Sequence, residues 1–499
     1  MGTGSAIGLE HHAAELVATN RIDDLVLLKL KQVGLRPNPA CSDEDFVRRA
    51  FLDAIGTLPT AKEAADFLAD RTPDKRSRLI GRLLWRDEFA DYWAMKWSDL
   101  LRIKSEFPMD LWPMAAQGYH RWVRESLRAN MPYDRFARTL LTASGSNFAT
   151  TQVNFYRAVP SKTPIPIAQA VALTFMGVRA EKWPTTRLAG MAAFFSQIGY
   201  KRTDEWKEEI VYFDPTKPAL KPAVFPDGVA AHLSSADDPR EVFADWLVAP
   251  KNRWFALNIV NRIWSWLLGR GIVQEPDDIR PDNPPQNAAL LGYLESELVS
   301  SGYNLRHVFR LIMESGTYQQ SSAEGPRNAD ANFARYPLRR LEAEVLIDAL
   351  DQITGTTESY SSSIPEPFTF IPEEQRSILL PDGSITSAFL EMFGRPPRDT
   401  GLESERNNRP TADQMLHMLN SSHIQHKIER GPKTVALMRP ALVPETVCDQ
   451  LYLSILSRPP TDAEQAIVSE HFKRSANRRE AVADIAWALV NSAEFMYRH

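Results

Sequence analysis

Apolar residues recur at i, i+3 and i+4 in segment after segment of this chain, and no long run of strict alternation competes with them. That pattern restricts the fold to helices packed through their apolar stripes. Arg21–Val33 places Ile22, Leu25, Val26 and Val33 on one stripe before Gly34. Thr60 and Glu63 form a capping box after Pro59, and Thr461 and Glu464 form another after Pro459 and Pro460; both predict helix starts. These two helix starts share a device without establishing an internal repeat. The spacing predicts further helices over Phe89–Leu101, Tyr119–Leu127, Tyr133–Leu141, Ile167–Val178, Leu188–Phe195, Glu241–Leu247, Arg253–Leu268, Asn287–Ser300, Leu305–Ser315, Arg339–Ile353, Thr411–Leu419, Val443–Leu456 and Arg478–Asn491.

The expected fold is therefore mainly α. Residues 1–20 read as a disordered lead, of artificial origin or a processed end, because no basic region is followed by an apolar one as in a secretory signal. Residues 21–200 read as an N-terminal helical domain and 238–499 as a C-terminal one. The Pro- and Lys-rich stretch 201–237 between them reads as a linker with room for a few short strands, Ile210–Phe213 among them. Gly355–Thr386, rich in Ser and Pro, reads as a loop or insertion.

The totals set limits on function. The 499 residues are 43% hydrophobic and 24% charged, the balance of a folded globular chain. Net charge is −5 and no basic stripe is visible, so a phosphate grip on nucleic acid is not expected. The longest mostly apolar stretch, Ile165–Val178, is too short to cross a bilayer. Cys41 and Cys448 belong to no CxxC or CxxCH; two such residues alone build no zinc ribbon, iron–sulfur cluster or covalent haem. No cofactor and no structural metal is expected, and whether the two thiols pair is open. GxSxG, GxGxxG and GxxxxGK[ST] are absent.

The densest stretch, Asn261–Pro285, carries Asn261-Arg-Ile-Trp264 and Gly269-Arg-Gly271, then a loop crowded with Asp, Arg, Asn and Pro. With Phe46–Thr60, Asp74–Arg76, Trp93–Leu100, Gly316–Gln319, Phe393–Pro396 and Leu456–Pro460, it resembles the planctomycete-type cytochrome-associated proteins, which pair two domains of unknown function. The resemblance covers most of residues 20–498. It implies mostly helical, usually exported proteins, often attached to a cytochrome-like module and without an assigned activity. It points to a place outside the cytoplasm, while the chain itself shows no intact signal and leaves the cytoplasm open.

The departures from that family are informative. Its members often carry a CxxCH-type segment within the region matched by Phe175–Phe195, and that segment is missing here. They often carry Cys-x-Cys-Glu-Arg where this chain reads Leu402-Glu403-Ser404-Glu405-Arg406. Loss of half a thiolate site leaves poorly satisfied ligands, so loss of both together suggests that the two segments meet in space.

The candidate site residues each have a plain structural alternative. Glu403, Glu405 and Arg406 offer two carboxylates and a guanidinium for acid–base work on a glycosidic bond, or an ion-pair network pinning a loop; the second is preferred. Asn261, Arg262, Arg270, Asp278, Arg280 and Asn283 are candidate binding residues on the wall of a groove between the two bodies. Asp277, Asp278, Arg280, Asp282 and Asn283 lack the spacing of a calcium loop and read rather as a loop leading into a helix. His417, His423 and His426 lack the acidic partner of a zinc helix and read as surface or capped histidines. The tryptophans at 93, 97, 112, 122, 246, 254, 264 and 266 serve as sugar-stacking platforms or as core, and helical spacing beside Leu and Ile favours core.

The leading expectation is a non-catalytic binding or scaffold protein, its partner a polysaccharide or a surface protein. A polysaccharide hydrolase or lyase using Glu403 or Glu405 is the second reading. A degenerate, haem-free redox-associated protein is the third.

Overall fold

The computed structural model describes residues 18–220, 222–234, 236–326 and 328–499. Residues 1–17 of the expected lead lie outside them. Twenty-two α-helices and five short strands are present among the described residues, so the fold is mainly α. Both Pro-Thr-x-x-Glu helix starts are capping boxes: the Thr60 side chain accepts from Glu63 N–H and Glu63 reaches back to Thr60, and Thr461 and Glu464 repeat the arrangement. Asn20 and Asp23 form a third, ahead of the helix Arg21–Gln32. Each such cap satisfies amides that the first turn leaves without a partner and is worth about 1 kcal/mol.

Two expected elements differ. The periodic run Arg339–Ile353 is not one helix. Arg339–Arg340 is a strand, antiparallel to Tyr497–Arg498, and the helix is Ala343–Thr354 with Glu342 at its cap. Tertiary pairing with the far end of the chain overrides a local helical pattern there. The stretch Ile167–Val178 begins earlier, as Pro164–Val171, and widens into a single π turn over Ala172–Met176 before left-handed Gly177. The region read as a linker holds a hairpin. Ile198–Arg202 pairs with Glu209–Phe213, and Gly145–Ser146 adds to the other edge of the latter.

The two helical regions share a core: one continuous buried cluster runs from Ile22 to Met496. The helix Asp43–Ile55 shows how the halves lock. Arg48 donates to the carbonyls of Ile455 (2.8 Å) and Phe495 (2.6 Å), and Arg49 to those of Tyr318 (2.7 Å), Gln320 (2.8 Å) and His499 (2.9 Å). From the helix Asp87–Leu100, Trp93 packs on Trp266 and Phe309, with ring centroids 5.1 and 4.4 Å apart. Apolar stripes announce that a face is buried but not against what, so a sequence boundary at 201–237 gives no sign that both sides share a core. Trp93, Trp97 and Trp264 are core residues, as their spacing suggests. Cys41 and Cys448 are buried free thiols. No helix among the described residues is long and apolar enough to cross a membrane.

One buried acid makes stability depend on pH. Asp348, on the helix Ala343–Thr354, accepts from the amides of Ser377 (2.6 Å) and Ile378 (3.2 Å). Burial pushes its carboxyl up to about 6, against the pull of Arg376. A folded value above the unfolded one means that its stabilising contribution is complete below about pH 4 and disappears as pH rises through 6. Asp348→Asn removes that titration. The stability difference between variant and parent is expected to move in the variant's favour by roughly 3 kcal/mol between pH 4 and pH 7, read from denaturant unfolding at both values. A difference that stays constant would show that Asp348 does not titrate across this range.

Candidate functional site

Five parts of the chain converge on a polar cleft of about 740 Å³. Helix Asp87–Leu100 brings Lys96 to its floor, and helix Arg253–Leu268 brings Trp266 to its side. The loop after Gly269 contributes Gln274–Asp277. The paired strands contribute Arg339, Arg340 and Tyr497, and the segment 403–410 closes the opposite wall.

The floor is a buried ionic cluster. Lys96 Nζ lies 2.8 Å from Glu342 Oε1, with both side chains almost wholly buried. Arg498 bonds Glu342, Tyr92 Oη (3.0 Å) and Asp53 Oδ1 (2.8 Å). Asp53 also accepts from Tyr336 (2.7 Å) and Tyr318 (2.9 Å). Burial alone would raise the Glu342 carboxyl; Arg498, Lys96 and Arg406 outweigh it and hold it well below the usual range. Burial would likewise lower Lys96, and Glu342 holds it up.

The wall formed by 403–410 depends on Arg406. Its guanidinium bonds Glu344 (2.6 and 3.0 Å) from the helix Ala343–Thr354 and Asp99 (2.7 Å) from Asp87–Leu100. Gly394, at φ +83°, lets this segment approach: a Cβ there would stand 1.9 Å from the carbonyl oxygen of Asn407. Glu403 points into the cleft and is a quarter exposed. Its carboxylate accepts from the Trp266 indole (3.0 Å) and lies 3.8 Å from Arg262 Nη1, while its own amide donates to Asp277 Oδ2 (2.6 Å). Burial raises its carboxyl, with Lys96 and Arg262 pulling the other way.

Of the residues singled out from sequence, Trp266, Asp277, Glu403 and Arg406 line this cleft and the others do not. Glu405 turns away and accepts from the amides of Asp399 (2.9 Å) and Thr400 (3.3 Å). Asn261 is fully buried and brackets Val273, donating to its carbonyl (3.0 Å) and accepting from its amide (2.9 Å). Arg262, also fully buried, pairs with Asp277 at 2.6 Å and donates to the Leu173 carbonyl. Arg270 is partly buried, with its Nε lacking a partner among the described residues. Asp278 and Asp282 both pair with Arg280, and Asn283 donates to the carbonyls of Gln274 and Asp278, so this loop is tied mainly to itself. His423 contacts His417 (3.3 Å) and Glu358 (2.8 Å), while His426 is exposed.

Sequence reasoning did not pick out Lys96, Glu342, Arg339 or Tyr497. Lys96 had a signal, the one cation inside the mostly apolar stretch Trp93–Leu100, where a buried cation needs a partner. Glu342 had none, since its partners are brought by other elements.

The two segments expected to meet each touch the loop Glu275–Ile279. Ile279 N–H donates to the Gly177 carbonyl (2.9 Å), and Arg179 pairs with Glu275 at 3.0 Å. Two residues from either contact, Asp277 holds the amide of Glu403. Gly177, at φ +64°, allows the approach, because a Cβ would meet the Pro276 carbonyl at 2.9 Å.

No curated protein and no solved structure matches the chain. Residues 21–195 match PSCyt2, a protein of unknown function (DUF1549), and residues 239–472 match PSD1, a protein of unknown function (DUF1553). With both domains present in that order and over most of its length, the chain belongs to the paired-domain, cytochrome-associated family that its motifs resemble.

Proposed function

We propose that the protein is a non-catalytic binding protein acting outside the cytoplasm, and that the polar cleft above Lys96 takes a hydroxyl-rich ligand of the polysaccharide class. The observation that carries this reading is the mutual pairing of the charged walls. Glu342 is held by Lys96 and Arg498, Asp277 by Arg262, and Arg406 by Asp99 and Glu344. These paired groups present donors and acceptors, which hydroxyl groups complement because each both donates and accepts, while Arg340, on the carbonyls of Phe393, Asn407 and Asn408, adds a cation without a carboxylate. Trp266 and Tyr497 add apolar ring surface beside them. Pure protein screened on a glycan array is expected to bind without releasing product. Glu403→Gln preserves the indole hydrogen bond through its carbonyl oxygen, so its affinity is expected to stay within about tenfold, the equivalent of 1.4 kcal/mol.

A specific observation favours a second reading, a hydrolase or lyase. Glu403 and Glu342 face one cleft, with burial raising the first carboxyl and cations holding the second low. Opposed environments of this kind separate an acid from a base. Under that reading Glu403 donates the proton, and Glu403→Gln cuts product release by about 10²–10⁴-fold. Reducing-end assay of the same array hits with parent and variant decides between the two.

A further inference from the structure

A second cleft, of about 580 Å³, opens on another part of the molecule, between the loop Val178–Arg187 and the start of the helix Arg253–Leu268. Three tryptophans line it, Trp183, Trp246 and Trp254, all partly exposed. They pack against the core without being enclosed by it. Trp183 is covered on one side by the Arg187 guanidinium at 4.0 Å, and Trp254 stands 6.0 Å from Trp246. Trp246 is fixed from behind, stacked on Phe225 at 5.1 Å with its indole donating to Asp227.

The unused hydrogen-bonding capacity of this cleft is one-sided. Both oxygens of Asp227 already accept, one from Trp246 and one from the Val229 amide, each at 3.0 Å. Arg253 is occupied by Glu295, and Arg280 by Asp278 and Asp282. Arg187 donates only its Nε, to the Pro226 carbonyl, so both terminal nitrogens lack an acceptor among the described residues, and Lys251 has no ion-pair partner among them. The cleft therefore offers indole faces and two cations without an ion pair among the described residues, Lys251 and the Arg187 that covers Trp183, beside one carboxylate, Asp227, whose oxygens each already accept a hydrogen bond.

We propose that this cleft is a binding site for an acidic saccharide, a pyranose bearing a carboxylate or sulfate group. The C–H face of a pyranose ring is weakly positive and complements the negative face of an indole. Its anionic group is paired by Arg187 and Lys251, both of which line the cleft, a planar guanidinium and a mobile ammonium being suited to oxyanions. The site is separate from the polar cleft, with which it shares no lining residue.

The test titrates the full chain with oligogalacturonate, with a sulfated oligosaccharide and with a neutral malto-oligosaccharide of equal length, following tryptophan fluorescence. Expected is a saturable change with at least one acidic ligand, at least about tenfold tighter than with the neutral one and weakening as salt screens the cations. Trp254→Ala abolishes the change, and Lys251→Glu, an exposed substitution that leaves the packing alone, weakens binding by about tenfold or more. Equal binding of the neutral sugar, binding unaffected by Lys251→Glu, or no saturable change with either acidic ligand overturns the proposal. Saturable binding that survives Trp254→Ala assigns the saccharide to the polar cleft instead.

Discussion

Arg498→Met is expected to lower the unfolding free energy by about 3–5 kcal/mol, the cost of removing one partner from a buried ion-pair network. Arg498 is 2% exposed. It connects Asp53 on the helix Asp43–Ile55, Tyr92 on Asp87–Leu100 and Glu342 at the cap of Ala343–Thr354. Methionine replaces the volume and none of the charge, leaving Glu342 with Lys96 and the Tyr92 hydroxyl (3.3 Å), and Asp53 with two tyrosine hydroxyls and Arg339 at 3.4 Å. Urea unfolding of parent and variant at pH 7 measures the loss. A second comparison isolates the pair. Glu342→Gln alone strands Lys96 and Arg498 without their carboxylate, whereas the double variant removes donor and acceptor together. Its loss is expected to fall short of the sum of the single ones, because the three groups share one network. Additive losses would show that Arg498 acts through packing, not through Glu342.

This network also marks where the sequence stops being readable. Helices and their first turns could be read, because a 3.6-residue period and a capping box are written in consecutive residues: Thr60 with Glu63, Thr461 with Glu464. The strand Arg339–Arg340 could not, because its partner is Tyr497–Arg498 and the local pattern continues a helix. The same division runs through the candidate site. Glu403 and Arg406 stood out as a polar cluster in a segment bounded by Pro397 and Pro410. Lys96 and Glu342 did not, because they are 246 positions apart and each is ambiguous alone. Asn261 and Arg262 stood out as polar residues in an apolar run, which describes a ligand-facing group and a buried backbone clamp equally well; they are placed as the latter. Trp246 and Trp254 share the spacing of the core tryptophans, and only the loop carrying Trp183 and Arg187 turns them into the wall of a cleft.

Arg406→Met is expected to cost about 3–5 kcal/mol at neutral pH, by stranding Glu344 without its main cation. Glu344 is wholly buried, and burial alone would raise its carboxyl; Arg406, aided by Arg395, brings it down to about 2. The sign of the pH dependence follows. A folded value below the unfolded one stabilises the protein above about pH 4, and the contribution is lost as pH falls through 2. In the variant the carboxyl keeps its burial and loses its cation, so it titrates at higher pH and no longer contributes. The gap between parent and variant is therefore widest near pH 7 and narrows as both are acidified below pH 4. Unfolding midpoints at pH 7, 5 and 3 trace this. A gap that stays constant over that range would mean that Arg406 holds the wall by shape and not by charge. The same substitution also loosens the segment that carries Glu403, whose carboxylate receives the Trp266 indole. Tryptophan emission is thus expected to shift in Arg406→Met before global unfolding begins, which ties the stability of the ionic floor to the geometry of the cleft above it.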